Sequence, residues 1–250
     1  LTDMSKKSVT ETIQEHRSIR KFTSTPIEDD ILQDLFTSAQ WAPSSHNVQA
    51  YSIIVVKRPT SKQKLAECCG GQRWVKECPV FLVFCADFYR LEMTTEMHGT
   101  SFEIDEAENL VVGTVDTALA AQNVFLTAKS YGLGGVMIGG VRNHPGQVAD
   151  LLNLPELTIP IMGMCLGYPD QHPWQKPRLP QETVVHYESY HTGRLKKHLQ
   201  DYEQISADYY TRRTQGRKTI GWTKQMAEYL SEPRREELSY FIKNQGIQIK

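Results

Sequence analysis

Four short apolar runs, each separated from the next by a stretch with helical spacing, constrain this chain more than any other feature. They are "AYSIIVV" from residue 50, "PVFLVFCAD" from 79, "GVMIGG" from 135 and "TIPIMGMCLGYP" from 158. Runs this short and this apolar, without polar alternation, read as strands buried on both faces. Between them the spacing predicts helices. One follows Pro26 and the acidic cluster Glu28, Asp29 and Asp30, carries Ile27, Ile31, Leu32, Leu35, Phe36 and Ala39 on one face, and stops at Pro43. Others cover "SKQKLAECC", residues 104–131 with Gly132 as the C-terminal cap, and "HPGQVADLLNL". An upstream helix carrying Val9, Ile13 and the stem of His16 delivers the basic stretch "RSIRKF" at its exit. Strands separated by helices give a mixed α/β or α+β sheet with helices on its faces.

Composition narrows the function classes. With 250 residues the chain is long enough for one large domain and a real core, and its 28 basic and 29 acidic residues nearly cancel. No global field therefore points to nucleic acid or anionic membrane, and the basic clusters must act locally. The contiguous apolar runs, such as residues 80–86, are too short to span a bilayer, and "LTDMSKK" lacks the hydrophobic segment of a signal peptide, so the expected location is the cytoplasm. Five cysteines with no CxxC spacing suggest buried free thiols; the vicinal Cys68 and Cys69 are either a redox pair or one buried and one exposed residue at a helix end. "GLGGVMIGG" is not a dinucleotide fingerprint, because it runs from helix into strand and has Met137 where the third glycine belongs. No P-loop, HExxH or Gly-x-Ser-x-Gly elbow is present, and no metal site is indicated.

Four polar patches remain: His16, Arg17, Ser18 and Arg20; Ser44, Ser45, His46, Asn47 and Gln49; Met137, Ile138, Gly139 and Gly140; and Lys176, Pro177 and Arg178. Guanidinium, ammonium and hydroxyl donors suit a phosphate, and the prolines around Lys176 and Arg178 hold that segment extended. A ring rich in carbonyl and imine acceptors needs an amide such as Gln49 and a closely approaching backbone, which glycine permits. The patches together suit a phosphorylated cofactor.

The ordered set "EHRSIRKF", "SSHNVQAYSI", "CGGQRWV", "VFCADFYR", "VDTALAAQN", "GLGGVMIGG", "PIMGMCLGYP" and "KPRLP" closely resembles the nitroreductase/flavin reductase superfamily. More narrowly it resembles the NADPH-dependent, oxygen-insensitive group of nitroreductases and FMN reductases, over nearly the whole chain. The resemblance implies a single α+β domain over residues 1–250, with a mixed central β-sheet flanked by helices. Residues 170–250 would form a C-terminal extension that wraps the partner of a homodimer. It implies FMN as cofactor and NADPH as donor, with NADH also possible. It also implies ping-pong transfer of hydride through flavin N5 to nitroaromatics, quinones or free flavin, with no catalytic side chain required. His16, Arg17 and Ser18 would meet the phosphate and ribityl chain, and Arg20 the N1/O2 edge. Lys176 and Arg178 would close on the phosphate. Ser44, Ser45, Gln49 and Gln72 would contact ribityl or ring, and Ile138, Gly139 and Gly140 would give backbone contacts near N5.

Pro43, His46 and Asn47 depart from the further serine or threonine and the aromatic of many relatives, at a loop that borders the open ring face in this family. His46 is either a substrate contact or an ordinary loop histidine. "YYTRRTQGRK" at 209–218 is either a solvated loop or, by resemblance, a clamp for the NADPH 2′-phosphate through Arg213 and Arg217, with Lys218 replacing Arg217 under a one-residue shift. The alternatives in function are another flavin reaction on the same scaffold, such as reductive dehalogenation, and a non-catalytic flavin-binding redox sensor using Cys68 and Cys69.

Overall fold

The computed structural model describes residues 7–104 and 107–247; the N-terminal "LTDMSK" lies outside them. The chain divides into two compact units, one formed by Leu1–Pro173 with Arg235–Lys250 and the other by Trp174–Arg234. The first unit contains α1 (Val9–Gln14), α2 (Asp29–Gln40), β1 (Tyr51–Val56), α3 (Pro59–Cys68), α4 (Arg73–Glu77), β2 (Val80–Asp87), α5 (Tyr89–His98), α6 (Ala107–Ser130), β3 (Gly134–Ile138), α7 (Pro145–Leu152) and β4 (Thr158–Gly167). The second unit contains α8 (Gln181–Val184), α9 (Leu195–Arg213) and α10 (Trp222–Leu230), after which α11 (Glu236–Asn244) returns to the first.

All four expected strands form, in the order β1-β2-β4-β3. The sheet, expected to be mixed, is antiparallel throughout in the described residues. The register gives the reason: Val56 at the end of β1 faces Phe81 at the start of β2, so α3 and α4 return the chain to the end it left. The central strand β2 is buried along its whole length, as its unbroken apolar run requires. Val80, Leu82 and Phe84 pack with α2 and α6 on one face; Phe81, Val83 and Cys85 pack with Leu65, Val75 and Val148 on the other. β1 does not match the expectation of full burial. It is an edge strand, half-buried over most of its length, because its second flank has no ladder partner among the described residues.

The long helix α6 averages enough hydropathy over enough residues to cross a membrane, which a search for contiguous apolar runs does not register. Here it packs on α2 and the sheet, burying Gly113, Asp116, Thr117, Ala120, Ala121 and Val124. Its small residues therefore serve its own sheet: a Cβ at Gly113 would lie 2.5 Å from Phe88 Cζ. Gly132, with φ +75°, caps it as expected, and the Leu133 N–H donates to the Ala128 carbonyl.

Asp116 is the polar member of that buried face, 2 % exposed. Its Oδ2 accepts from Ser44 Oγ at 2.6 Å and from the Ala50 N–H at 3.0 Å, while Ser44 Oγ accepts the Gln49 N–H at 2.8 Å. One carboxylate oxygen thus ties both ends of the loop before β1. Within that loop His46, Asn47 and Gln49 have φ of 49°, 56° and 54°, a region unfavourable to residues with a Cβ.

In the second unit α9 runs for 19 residues. Most of its residues are polar or charged, but Leu195, Leu199, Tyr202 and Ser206 share one face, and the Tyr202 hydroxyl donates to the Pro177 carbonyl at 2.8 Å. Glu203 closes the start of α10 by accepting from the Gly221 and Thr223 N–H groups and the Thr223 hydroxyl. Burial alone would raise its carboxyl, but these bonds hold it below the ordinary value.

Two outcomes follow for stability. Gly113→Ala gains about 1 kcal/mol of helix propensity, but forcing a methyl against the buried Phe88 ring costs about 1–3 kcal/mol; the urea midpoint should fall. Asp116→Ala strands the Ser44 hydroxyl and the fully buried Ala50 N–H, at about 1–3 kcal/mol each. It should lower the thermal midpoint well beyond Asp116→Asn, which keeps an acceptor oxygen, and should open residues 43–49 to limited proteolysis.

Candidate active site

The backbone of the stretch "HRSIRKF" is bonded to the start of β3 and to the chain that follows β4. Ile19 is buried and its N–H donates to the Gly135 carbonyl at 2.8 Å; Arg20 N–H donates to Gln171 Oε1 at 3.2 Å, and Phe22 bridges to Pro169. Glycine at 134 is what lets the segment lie this close, since a Cβ there would meet Ile19 Cγ1 at 2.6 Å. His16 rests its ring 5.3 Å from that of Phe125. Arg17 donates through Nε to the Pro173 carbonyl at 3.0 Å and through Nη1 to the Glu15 carbonyl at 3.2 Å. Ser18 is half-buried between them and Ile19 in the chain.

Two of the expected patches come together here, joined through Trp74 and Gln72. The Arg20 guanidinium lies 5.5 Å over the Trp74 ring, Trp74 Nε1 donates to Gln72 Oε1 at 3.0 Å, and Gln72 Nε2 donates to the Cys69 carbonyl at 2.8 Å. The turn Gly139–Arg142 closes on the same place: a Cβ at Gly140 would lie 2.9 Å from Gln72 Nε2 and from both Cys69 Cβ and its carbonyl. Gly70 and Gly71, with φ of +79° and +73°, make the turn that presents Gln72. Ile138, the last residue of β3, is buried beneath. A guanidinium, an amide and a close-approach backbone therefore meet in one unit, the donor set that a planar ring rich in acceptors requires.

Ser44, Ser45, His46 and Gln49 sit in the Asp116-tied loop. The Ser44 proton is engaged by Asp116, whereas Ser45, His46 and the Gln49 side chain are exposed. Gln49 also lines a groove of about 870 Å³ with Tyr51, Ser52, Arg90, Met93 and Met97 beside the β1 edge. The other expected contacts do not line that groove.

Of the expected residues in the second unit, Lys176 and Arg178 line a pocket of about 410 Å³ with Tyr202, Tyr209, Tyr210 and Trp222. Lys176 Nζ lies 5.8 Å from the centre of the Tyr210 ring. Arg213, at the end of α9, leans on Tyr209 and donates to its hydroxyl at 3.3 Å; Arg217 Nε donates to the Thr214 carbonyl at 3.1 Å across a turn with Gly216 at φ +81°. Neither has a carboxylate partner among the described residues. Lys218 is instead held by Gln225 Oε1 at 2.7 Å and the Tyr210 ring at 4.2 Å.

The five cysteines are free and buried. Cys68 and Cys69 are both inside, where one buried and one exposed were expected. α3 ends at Cys68 and packs there on α4 and α7, and Cys68 Sγ contacts Gln147 Oε1 at 3.7 Å. Burial pushes the Cys69 thiol up to about 12, which leaves little thiolate at neutral pH. Residues the sequence reading did not single out also belong to this region: Asp116 behind the loop, and Arg142 and Arg235 at Gly139.

The nitroreductase family model matches residues 13–168, and the model of that family's C-terminal domain matches residues 176–250. The FMN reductase (NAD(P)H) of Bacillus subtilis is 36 % identical over 97 % of this chain and 98 % of its own length. The NADPH-flavin oxidoreductase of Vibrio harveyi is 40 % identical over 95 % and 97 %. Among solved structures, Bacillus megaterium NfrA2 superposes with a TM-score of 0.95 at 37 % identity, covering 97 % of this chain and 98 % of its own. With an α+β fold, family models that match both stretches and relatives aligned nearly end to end, this chain belongs to the nitroreductase family.

Proposed function

We propose that this chain is an FMN-dependent NADPH oxidoreductase that reduces small-molecule acceptors such as nitroaromatics, quinones and free flavin. The observation that carries the reading is the meeting of Arg20, Gln72 and the Gly139–Gly140 backbone in a member of this family. FMN, when bound, supplies two-electron hydride chemistry at N5. The chain's own groups then have separable tasks. Arg17, Lys176 and Arg178 are assigned to the phosphate, and His16 and Ser18 to the ribityl chain. Arg20 brings a fixed positive charge to the pyrimidine edge, favouring the anionic reduced ring. Gln72, Ser45 and Gln49 offer donors to ribityl or ring, with Ser44 holding their loop through Asp116. Donor and acceptor would use one face in turn, giving ping-pong kinetics, and His46 at that loop would face the acceptor.

The assembly we propose is a homodimer. Val111, Val115 and Leu119 recur every fourth residue on α6 and are 56, 49 and 37 % exposed, an apolar stripe that a second copy would cover. Five unpaired thiols suit a reducing compartment, in keeping with the cytoplasm. For the rival reading as a thiol sensor, the burial of both Cys68 and Cys69 is an obstacle.

The purified protein should be yellow, and its flavin band should bleach on adding NADPH without oxygen and return on adding a quinone over many cycles. A single reduction that does not turn over would overthrow the enzymatic reading. Arg213→Ala should raise KM for NADPH and hardly change that for NADH, which has no 2′-phosphate. The ratio of kcat/KM for the two donors reads this directly, and an unchanged ratio would remove Arg213 from the clamp.

A further inference from the structure

Two guanidinium groups converge on Gly139. A Cβ there would lie 3.2 Å from Arg142 Nη2 and 3.3 Å from Arg235 Nη2. Arg142 is drawn to the Ile161 carbonyl through Nη1. Arg235, just ahead of α11, donates through Nη2 to the Gly139 carbonyl at 3.2 Å and through Nε to Asn143 Oδ1 at 3.3 Å. Its side chain takes no part in capping α11, and Glu237 on that helix faces His144 at 3.4 Å instead. The Arg235 fork is therefore committed to this turn. Its neighbour Gly140 is held from the other side, packed against Cys69 and Gln72 with no room for a side chain.

The Gly139 carbonyl and the Gly140 N–H are two ends of one peptide group. A donor on the oxygen draws electron density from the nitrogen and makes the N–H a stronger donor; such cooperative gains are about 10–30 % per bond, and bonds from charged donors are roughly twice as strong as neutral ones. We infer that Arg235 is a positioning residue that polarises the Gly139–Gly140 peptide and so strengthens the backbone donor offered to flavin N5. This rests on the reading above that places FMN N5 at these glycines. Hydride arrival adds electron density to the ring, so a stronger donor there favours the reduced cofactor over the oxidised one. Arg235 then sets how readily the enzyme accepts hydride.

The test is the reduction potential of bound FMN, measured anaerobically against a reference dye in wild type, Arg235→Ala and Asn143→Ala, alongside the thermal midpoint of each apoprotein. Arg235→Ala should weaken binding of reduced relative to oxidised FMN about two- to threefold, a fall of about 10–15 mV for a two-electron couple. Asn143→Ala keeps the charge but frees the fork, and should move the potential the same way by less. An unchanged potential in Arg235→Ala with FMN still bound would overturn the inference. So would a fall in Arg235→Ala with none in Asn143→Ala, which marks charge acting through space alone. If Arg235→Ala fails to fold or to hold FMN, Asn143→Ala decides by itself, an unchanged potential counting against the inference. Wild type without FMN would fail the cofactor reading first and this inference with it, before any variant is compared.

Discussion

A single buried carboxylate organises the mouth of the first unit. Asp116 sits on the sheet-facing side of α6, where neighbouring positions are glycine, alanine, threonine and valine, and it spends its inward oxygen on a loop rather than on a cation. Burying such a group is costly unless it is hydrogen-bonded. Ser44 and Ala50 supply those bonds and in return are fixed in place. The strained backbone between them, with three non-glycine residues at positive φ, persists because its ends cannot move apart. Ser44, Ser45 and Gln49 are thus positioned from behind, by a carboxylate on the buried face of α6.

The same logic recurs at Gly139–Gly140. Glycine is required at 140 because Cys69 and Gln72 occupy the space a side chain would need. Packing from one side and a guanidinium from the other leave the connecting peptide one position. These contacts account for the rigidity of the turn. Polar groups at both places belong to the backbone or to residues held by the backbone, which gives less rotamer freedom to lose when a ligand arrives.

How much of this was readable in advance depends on whether the information is local. The strands were legible because β2 and β4 are buried on both faces and must be continuously apolar. β1 carries an equally apolar run but lies at an edge, and a run of residues does not say how many neighbours a strand has. Helix α9 was hidden by its charges, since a helix with one narrow buried face looks like a series of polar pieces. The basic and glycine patches were visible as residue types, whereas the Trp74–Gln72 link between them depends on pairing over distance. Asp116 left a usable signal: it falls in register with Gly113, Ala120 and Val124, so a charge stood on the buried stripe. Arg235 left none, because "EPRREE" reads as a solvated charge run.

The bond from Ile19 to Gly135 at the start of β3 also bears on how copies of this chain can associate. A sheet with two bare edges can add strands at either side and grow without limit, as fibres do. Here one position on the outer side of β3 is taken, with Ile19 bonded to Gly135, while residues 21–23 pair with the chain just past β4; β1 keeps an outer flank without a ladder partner among the described residues. Edge-to-edge association through β1 alone uses up both edges once two copies meet, and it ends there. The basic segment thus also narrows one route to open-ended assembly at that edge.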